Sequence, residues 1–341
     1  MNGFVPVLVH PSGEPPRLGE SLVDEYLRFV AARASANTLL AQMFDLKVFF
    51  TVVGKEPLAV TTTDVLAFIE AQRLPRKGNV VRLVDGESGL AASTIKRRLA
   101  SIAGLFSYLF ERGLVEKNPV PRGLSIRSVH SRVRGVPLIR APRRLPRILS
   151  PDEANMLLAA LRTERDRAMV TLMLFGGLRR CEVLGLRMAD VHPGERRVFV
   201  VEGKGGHQRI VPVAATFFEH LGRYLNSERP EVCGSDHVFV VLKRPRRGQR
   251  LSAAGVDEIL SGARQRAGLV HATCHELRHT CFTRLRESGM ALEAIQAQAG
   301  HASIESTRIY LHLANDWLVG EYSKAMDSLD GLVVSDPEST K

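Results

Sequence analysis

The sequence predicts a mainly α-helical chain of two domains, with a small β-hairpin or sheet in the second. Three observations carry that expectation. Apolar residues recur at spacings of three and four through residues 18–120, the period of a helix face. A stretch rich in proline and arginine, without an acidic residue, follows at 121–148. Helical patterns then resume at 149, broken by two alternating segments, 197–201 and 208–213, with the period of strands. A chain of 341 residues has room for two ordinary domains. Its 45% hydrophobic and 24% charged residues are those of a folded chain.

The elements follow in order. Residues 1–17 are expected to form an N-terminal extension. They lack the charged segment and apolar core of a signal peptide. No apolar run approaches the roughly 20 residues of a membrane helix. In the first helix, 21–30, an apolar stripe of Leu22, Tyr26, Phe29 and Val30 is expected to face inward. The second helix, 35–53, turns Leu39, Met43, Leu46, Phe49 and Phe50 inward and stops at Gly54. Thr61, Thr62, Thr63 and Asp64 cap a third helix carrying Val65, Leu66, Phe68 and Ile69. Glycine and proline make 74–90 a loop. The fourth helix starts at Ser93, with Ile95, Leu99, Ile102, Leu105, Phe106 and Leu109 on its inner face. Its first turns carry Lys96, Arg97 and Arg98. Such a cluster suits a solvated face and phosphate contact equally.

The stretch 121–148 reads as a linker. Arg122, Arg127, Arg132, Arg134, Arg140, Arg143, Arg144 and Arg147 lie among prolines that prevent long regular structure. Arginines on an extended segment can neutralise phosphates along a duplex, and Arg143 and Arg144 are the candidate contacts; a solubilising hinge is the other reading. The second domain, 149–330, opens with Ser150 as N-cap, Pro151 at the first helical position and acids in the first turn. A buried helix spans 167–175. The strands 197–201 and 208–213 pair around the turn Gly203-Lys204-Gly205-Gly206. A helix at 216–226, a short strand at 237–242, a basic loop at 243–250 and a helix at 253–267 complete the run. Residues 331–341 form a polar tail.

A formal net charge of +11 points to polyanions, either nucleic acid or an acidic membrane surface. The four cysteines, Cys181, Cys233, Cys274 and Cys281, include no Cys-x-x-Cys pair. That argues against structural zinc and a disulfide framework, and fits a reducing, cytoplasmic location.

Six positions carry the chemistry. Arg179 stands in Gly-Leu-Arg-x-x-Glu, Lys204 in Gly-Lys-Gly, and His275 and Arg278 in His-x-x-Arg-His. Gly300-His301 and Tyr310 follow. In this order and spacing they resemble the tyrosine recombinase (phage integrase) family, over about 150–325. The helical first half is similar to that family's core-binding domain in layout only. The resemblance implies a two-domain clamp around DNA: a helical, SAM-like core-binding domain and an α+β catalytic domain. It implies site-specific recombination, of integrase or transposase type, through a 3′-phosphotyrosyl intermediate with a free 5′-hydroxyl. Cys181 and Ala299 depart from the family's usual hydroxyl residue and leucine, and neither is expected to touch the chemistry. Starting its helices by residue 18, the chain is expected to leave no room for the arm-binding domain of some phage integrases.

The residue types suit that chemistry. Two arginine forks, Arg179 and Arg278, suit the non-bridging oxygens of a phosphodiester without a metal, and Glu182 is expected to orient Arg179. His275, three residues before Arg278, is placed to position the nucleophile or accept its proton. Tyr310 is the proposed nucleophile; a phenol with a pKa near 10 needs a basic neighbour and a positive field. His301 and Tyr310 would lie on opposite faces of one continuous helix, so a break at Gly300, with Ser303 as cap, is expected to let both face the phosphate. Lys204, on a hairpin tip, is the proposed general acid for the leaving oxygen. No cofactor is expected, and no Asp/Glu cluster has metal-ligand spacing. A last helix with Trp317, Leu318, Tyr322, Met326 and Leu329 is expected to dock on a neighbouring subunit, giving a homotetramer on two double-stranded DNA sites. A type IB-like topoisomerase and a catalytically silent DNA-binding regulator are the competing readings.

Overall fold

The computed structural model describes residues 4–9, 16–74, 89–121, 139, 146–201, 208–300 and 307. The chain divides into two compact units, Met1–Arg143 and Arg144–Lys341. Among the described residues it is mostly helical, with one three-stranded sheet.

The first unit holds α1 (Ser21–Ala31), α2 (Ala36–Val53), α3 (Thr62–Arg73) and α4 (Ala92–Glu111). The Ser35 hydroxyl caps α2 by accepting from the Thr38 N–H at 3.3 Å, and Gly54 ends the helix in the left-handed region at φ 64°. A reciprocal box between Thr61 and Asp64 starts α3. The six apolar residues expected to line the inner face of α4 are all buried. Phe49 of α2 sits among rings, its centroid 5.1 Å from Phe68 and 6.5 Å from Phe106. By length and mean apolarity α2 meets the criteria for a membrane-crossing helix. Its Met43, Leu46, Phe49 and Phe50 are instead fully buried in a core shared with α1, α3 and α4.

One expectation needs correction here. In α1 the inward residues are Val23, Tyr26, Leu27 and Val30, while Phe29 is 43% exposed. Apolar residues at 22, 23, 26, 27, 29 and 30 spread over an arc of about 160°, wider than the stripe that packs, so spacing alone permits more than one rotation. In α3, Leu66 faces outward and Val65 and Phe68 inward. Beyond the helices, Phe4 from the N-terminal segment packs edge-on against Phe50, and Ile139 from the basic stretch is buried in the same core. Most of the loop at 74–90 and of the linker, and all of the tail, lie outside the described residues.

The second unit is built on α6 (Glu164–Gly176), whose buried residues include Met169, Leu172 and Met173. It packs against α8 (Ala215–Ser227) and α10 (Cys274–Glu287). Around it lie α5 (Pro151–Ala159), α7 (Arg180–Gly185), α9 (Ala253–Arg266) and α11 (Leu292–Ala299). Ser150, Pro151 and Glu153 form the expected start of α5, as a capping box. The sheet has antiparallel order β1 (Val191–His192), β2 (Arg197–Val200), β3 (Arg209–Pro212). Val198 pairs with Val211 and Val200 with Arg209. The short β1 has no counterpart in the sequence reading.

The strand expected at 237–242 does not form; only isolated bridges join His237 to Arg187 and Val240 to Arg250. Val238, Phe239 and Val240 are all buried, so the segment is a core-crossing loop rather than an alternating strand. Side chains meet its backbone polar groups. The Tyr224 hydroxyl donates to the Val238 carbonyl at 3.0 Å and accepts from the Val240 N–H at 3.3 Å. Arg165 donates to the Val240 carbonyl at 2.9 Å. A short apolar run of this kind cannot be told from a buried strand by periodicity.

Inside the first unit, Asp45 on α2 is 2% exposed. It accepts from Arg97 and from the Ser101 hydroxyl at 2.8 Å, and lies 3.8 Å from Arg98. Asp45→Ala is therefore expected to lower the opening free energy of α2 and α4 amides by about 3 kcal/mol, measured by native-state hydrogen exchange. A change below about 1 kcal/mol, the range of surface pairs, would contradict this.

Candidate active site

Helix ends place the site's side chains. α6 stops because Gly177 adopts φ 67° and returns its N–H to the Met173 carbonyl at 3.1 Å. The chain then turns through buried Leu178 to Arg179, the N-cap of α7. Glu182 closes a capping box there: its carboxylate accepts from the Arg179 N–H and from Nη1 of the same arginine, both at 2.8 Å. The contact expected between Glu182 and Arg179 is thus formed. It orients a side chain that remains 22% exposed.

A second capping box, between Thr273 and Glu276, starts α10. It sets His275 in the first turn, exposed, and Arg278 one turn later, 3% exposed. The Arg278 fork is fixed on three sides. Nη1 donates to the Gly177 carbonyl, Nη2 to the Ala299 carbonyl at 2.6 Å, and the guanidinium lies 4.8 Å from the centroid of Phe282. Phe282 leaves no room at position 177: a Cβ there would stand 2.4 Å from its Cζ. The His279 ring meets His275 edge-on, centroids 4.3 Å apart.

The third part is α11. It ends where Gly300 adopts φ 59°, so the helix breaks before His301, at the expected glycine. Its last carbonyls accept from arginines, Ala299 from Arg278 and Gln298 from Arg209 Nε at 2.8 Å. Ala299 was expected to stand apart from the chemistry. It takes part through its backbone, holding Arg278.

Glu182 is where these parts meet. Its carboxylate, with no exposed side-chain surface, bonds Arg179 at 2.8 Å and Arg209 at 2.9 and 3.0 Å, and lies 4.0 Å from Arg278. Burial pushes its pKa up, but hydrogen bonds from Arg209 and from the Arg179 N–H prevail and hold it below the usual carboxylate range. Three guanidiniums against one carboxylate leave an excess of two positive charges. The pKa of His275 is lowered as well. Partial desolvation of the ring, whose outer edge stays open to solvent, comes first; it and the positive charges of Arg278 and Arg179 lower its pKa and favour the neutral ring. Among the described residues, no three His, Cys, Asp or Glu side chains group as metal ligands. The four cysteines are free.

The structure thus brings Arg179, His275 and Arg278 into one neighbourhood. Lys204, His301 and Tyr310 lie outside the described residues. In the first unit Lys96 and Arg97 are exposed, while Arg98 turns inward to Gln72 and Asp45. Arg143 and Arg144 lie outside the described residues.

A family model, that of the phage integrase family, matches residues 147–316. The tyrosine recombinase XerC of Roseiflexus castenholzii is 31% identical over 307 residues, which is 86% of this chain and 89% of that protein. XerC of Vibrio vulnificus is 34% identical over 244 residues, 70% of this chain and 71% of its own length. The chain belongs to the tyrosine recombinase family. Its activity is site-specific DNA recombination, the cleaving and rejoining of DNA. This reading is favoured over the type IB-like topoisomerase and the silent regulator. The fold agrees with solved recombinases. A XerH recombinase bound to palindromic difH substrate in a post-cleavage complex aligns with TM-score 0.63 at 21% identity, covering 89% of this chain and 84% of that one. A lambda integrase fragment, a dimer on a COC′ core site, aligns at 0.62 and 19%, covering 86% and 94%.

In this recombinase, sequence reasoning missed Arg209, Gly177, Phe282 and Gln298. Arg209 carried a usable signal. It shares the inward phase of β3 with buried Val211 and Val213, and an arginine on an inward strand face needs a buried partner. The lowered pKa of His275 gives a direct test. Folded His275 binds fewer protons than the unfolded chain, so it subtracts stability as pH falls through the ordinary value of about 6.5 towards the folded one. Its ring proton, followed by NMR, is expected to titrate below about 6.5. Arg179→Met, removing one positive neighbour, should move that midpoint upward. A native midpoint at or above the ordinary value would refute the assignment.

Proposed function

We propose that Tyr310 is the nucleophile and that Arg179, Lys204, His275, Arg278 and His301 serve the same scissile phosphate. The observation that carries this reading is the charge excess around Glu182, with Arg179 and the neutral-leaning His275 at its exposed side. A phosphodiester bears one negative charge and gains another as the phenolate adds to phosphorus. A fixed positive excess stabilises that transition state more than the ground state.

In the proposed step Tyr310 Oη attacks phosphorus as its proton passes to His275 Nε2 or Nδ1. The bond to the 5′ oxygen breaks, and Lys204 supplies that oxygen's proton. The products are a 3′-phosphotyrosyl link and a free 5′-hydroxyl. Arg179 and Arg278 hold the non-bridging oxygens, and His301 donates to one of them. Arginine charge takes the place a metal ion would fill. Attack by the 5′-hydroxyl of a partner strand reverses each transfer and completes the exchange. Double-stranded DNA is the partner, with Lys96 and Arg97 of the first domain and the linker, Arg143 and Arg144 included, contributing phosphate contacts. The free thiols and the substrate fit the cytoplasm.

On a nicked suicide substrate bearing the target site, the native enzyme is expected to accumulate covalent protein–DNA. Tyr310→Phe should form none, and Arg179→Ala should slow adduct formation by about 100-fold or more. An adduct persisting in Tyr310→Phe would overturn the nucleophile assignment.

Four protomers on two DNA sites are the proposed assembly, joined by the helix that carries Trp317, Leu318, Tyr322, Met326 and Leu329. Its support is the apolar stripe after the nucleophile. Truncation after Leu313 is expected to leave duplex binding intact and abolish synapsis in gel-shift assays; unchanged synapsis would refute it.

A further inference from the structure

We infer that Arg209 is a positioning residue of the cleavage site, tying the carboxylate that orients Arg179 to the helix end that leads into His301 and Tyr310. The inference rests on the roles proposed above for Arg179 and Tyr310.

The side chain of Arg209 is 9% exposed and its fork is spent on internal partners. Nη1 and Nη2 donate to the two carboxylate oxygens of Glu182 at 3.0 and 2.9 Å. Nε donates to the Gln298 carbonyl at 2.8 Å. Arg179, with 22% of its side chain exposed, meets the same carboxylate through Nη1. The two arginines therefore divide the work. Arg209 holds Glu182 in place with a planar, bidentate grip, and Glu182 then holds Arg179 towards the surface.

The Nε contact extends the grip to α11. The last carbonyls of a helix lack partners within it. Here Arg209 satisfies Gln298 and Arg278 satisfies Ala299, one residue before the turn. The guanidinium of Arg209 also lies against Gly300 itself: a Cβ there would stand 3.1 Å from Cδ and Nη1. Glycine is thus required twice at 300, by its φ of 59° and by the arginine beneath it. One side chain on β3 links the α7 cap to the start of the segment that carries the nucleophile. Lysine has a single ammonium and cannot grip a carboxylate with both oxygens while reaching a carbonyl elsewhere.

A plain structural buttress would place the same atoms together, so the test needs a readout that buttressing does not move. The charged groups facing Glu182 are Arg179 at the start of α7, Arg209 on β3 and Arg278 on α10; on α9, Asp257 is paired with Arg180. Without the Arg209 bonds, burial is opposed by fewer partners, so the carboxyl protonates more readily as pH falls and its hold on Arg179 loosens. Full-length Arg209→Lys is therefore expected to bind the nicked target duplex within about threefold of the native enzyme, but to form adduct about 100-fold more slowly in single turnover. Its rate should acquire an acidic limb absent from the native profile. Adding Glu182→Gln should remove that limb. Free guanidinium ion should restore part of the rate to Arg209→Ala. The inference fails if Arg209→Lys cleaves at the native rate. It fails equally if its rate loss is matched by lost duplex binding or folded fraction, or if its pH profile keeps the native shape. Tyr310→Phe is run beside it. If that variant still forms adduct, the underlying site reading has failed; if it is inactive and Arg209→Lys is normal, only the role of Arg209 has.

Discussion

Burying a carboxylate without exposed surface costs several kcal/mol of solvation, which a single exposed partner would not offset. Glu182 is in that position, and the second domain answers with guanidiniums from three separate elements: the start of α7, β3 and α10. The desolvation that penalises the carboxylate also strengthens each bond to it. The carboxylate in turn keeps three like charges close together, which they would not tolerate alone. Because the positive charges outnumber the negative by two, the cluster keeps a net charge that favours an anion beside it. A stable fold and an anion-binding fold are here the same arrangement.

The remaining geometry follows from helix ends. Several parts of the site sit at helix termini, where the backbone has groups without intrahelical partners. Arg179 is an N-cap, His275 lies in a first turn, Gly177 ends α6 and Gly300 ends α11. The same unsatisfied groups that demand capping provide fixed acceptors for Arg278 and Arg209. The apolar helices behind them, α6 above all, carry no chemistry but make these termini rigid.

Much of this was legible in the sequence where one strong signal acted alone. The stripes of α2 and α4 and the caps Thr61 and Ser150 are local and unambiguous. Arg179, His275 and Arg278 stood out because charged residues in fixed motifs serve no core. What escaped depended on contacts distant in sequence. α1 carries a wide apolar arc, so only packing could choose between Leu22 and Val23; Phe29 was left outside, 5.1 Å from the ring of Tyr108. The segment 237–242 looked like a strand because its apolar run is real; its backbone neighbours meet it only at isolated bridges, and the side chains of Tyr224 and Arg165 take up further backbone groups. Arg209 was read only as part of a hairpin, since nothing near it in sequence shows a carboxylate 27 positions away. Ala299 was judged by its side chain, whereas its contribution is a carbonyl.

Gly177 shows how strictly such an arrangement constrains a residue with no functional group. The edge of Phe282 occupies the space a methyl would need, the φ of 67° disfavours every other residue, and the carbonyl of Gly177 accepts from Arg278. One added carbon would push against the ring beneath the guanidinium and the peptide that anchors it at once. Positions 177, 278 and 282 therefore form a mechanical unit of hinge, cushion and fork. Neither the hinge nor the cushion can change size unless the other yields, although neither bears a charge or carries out a chemical step.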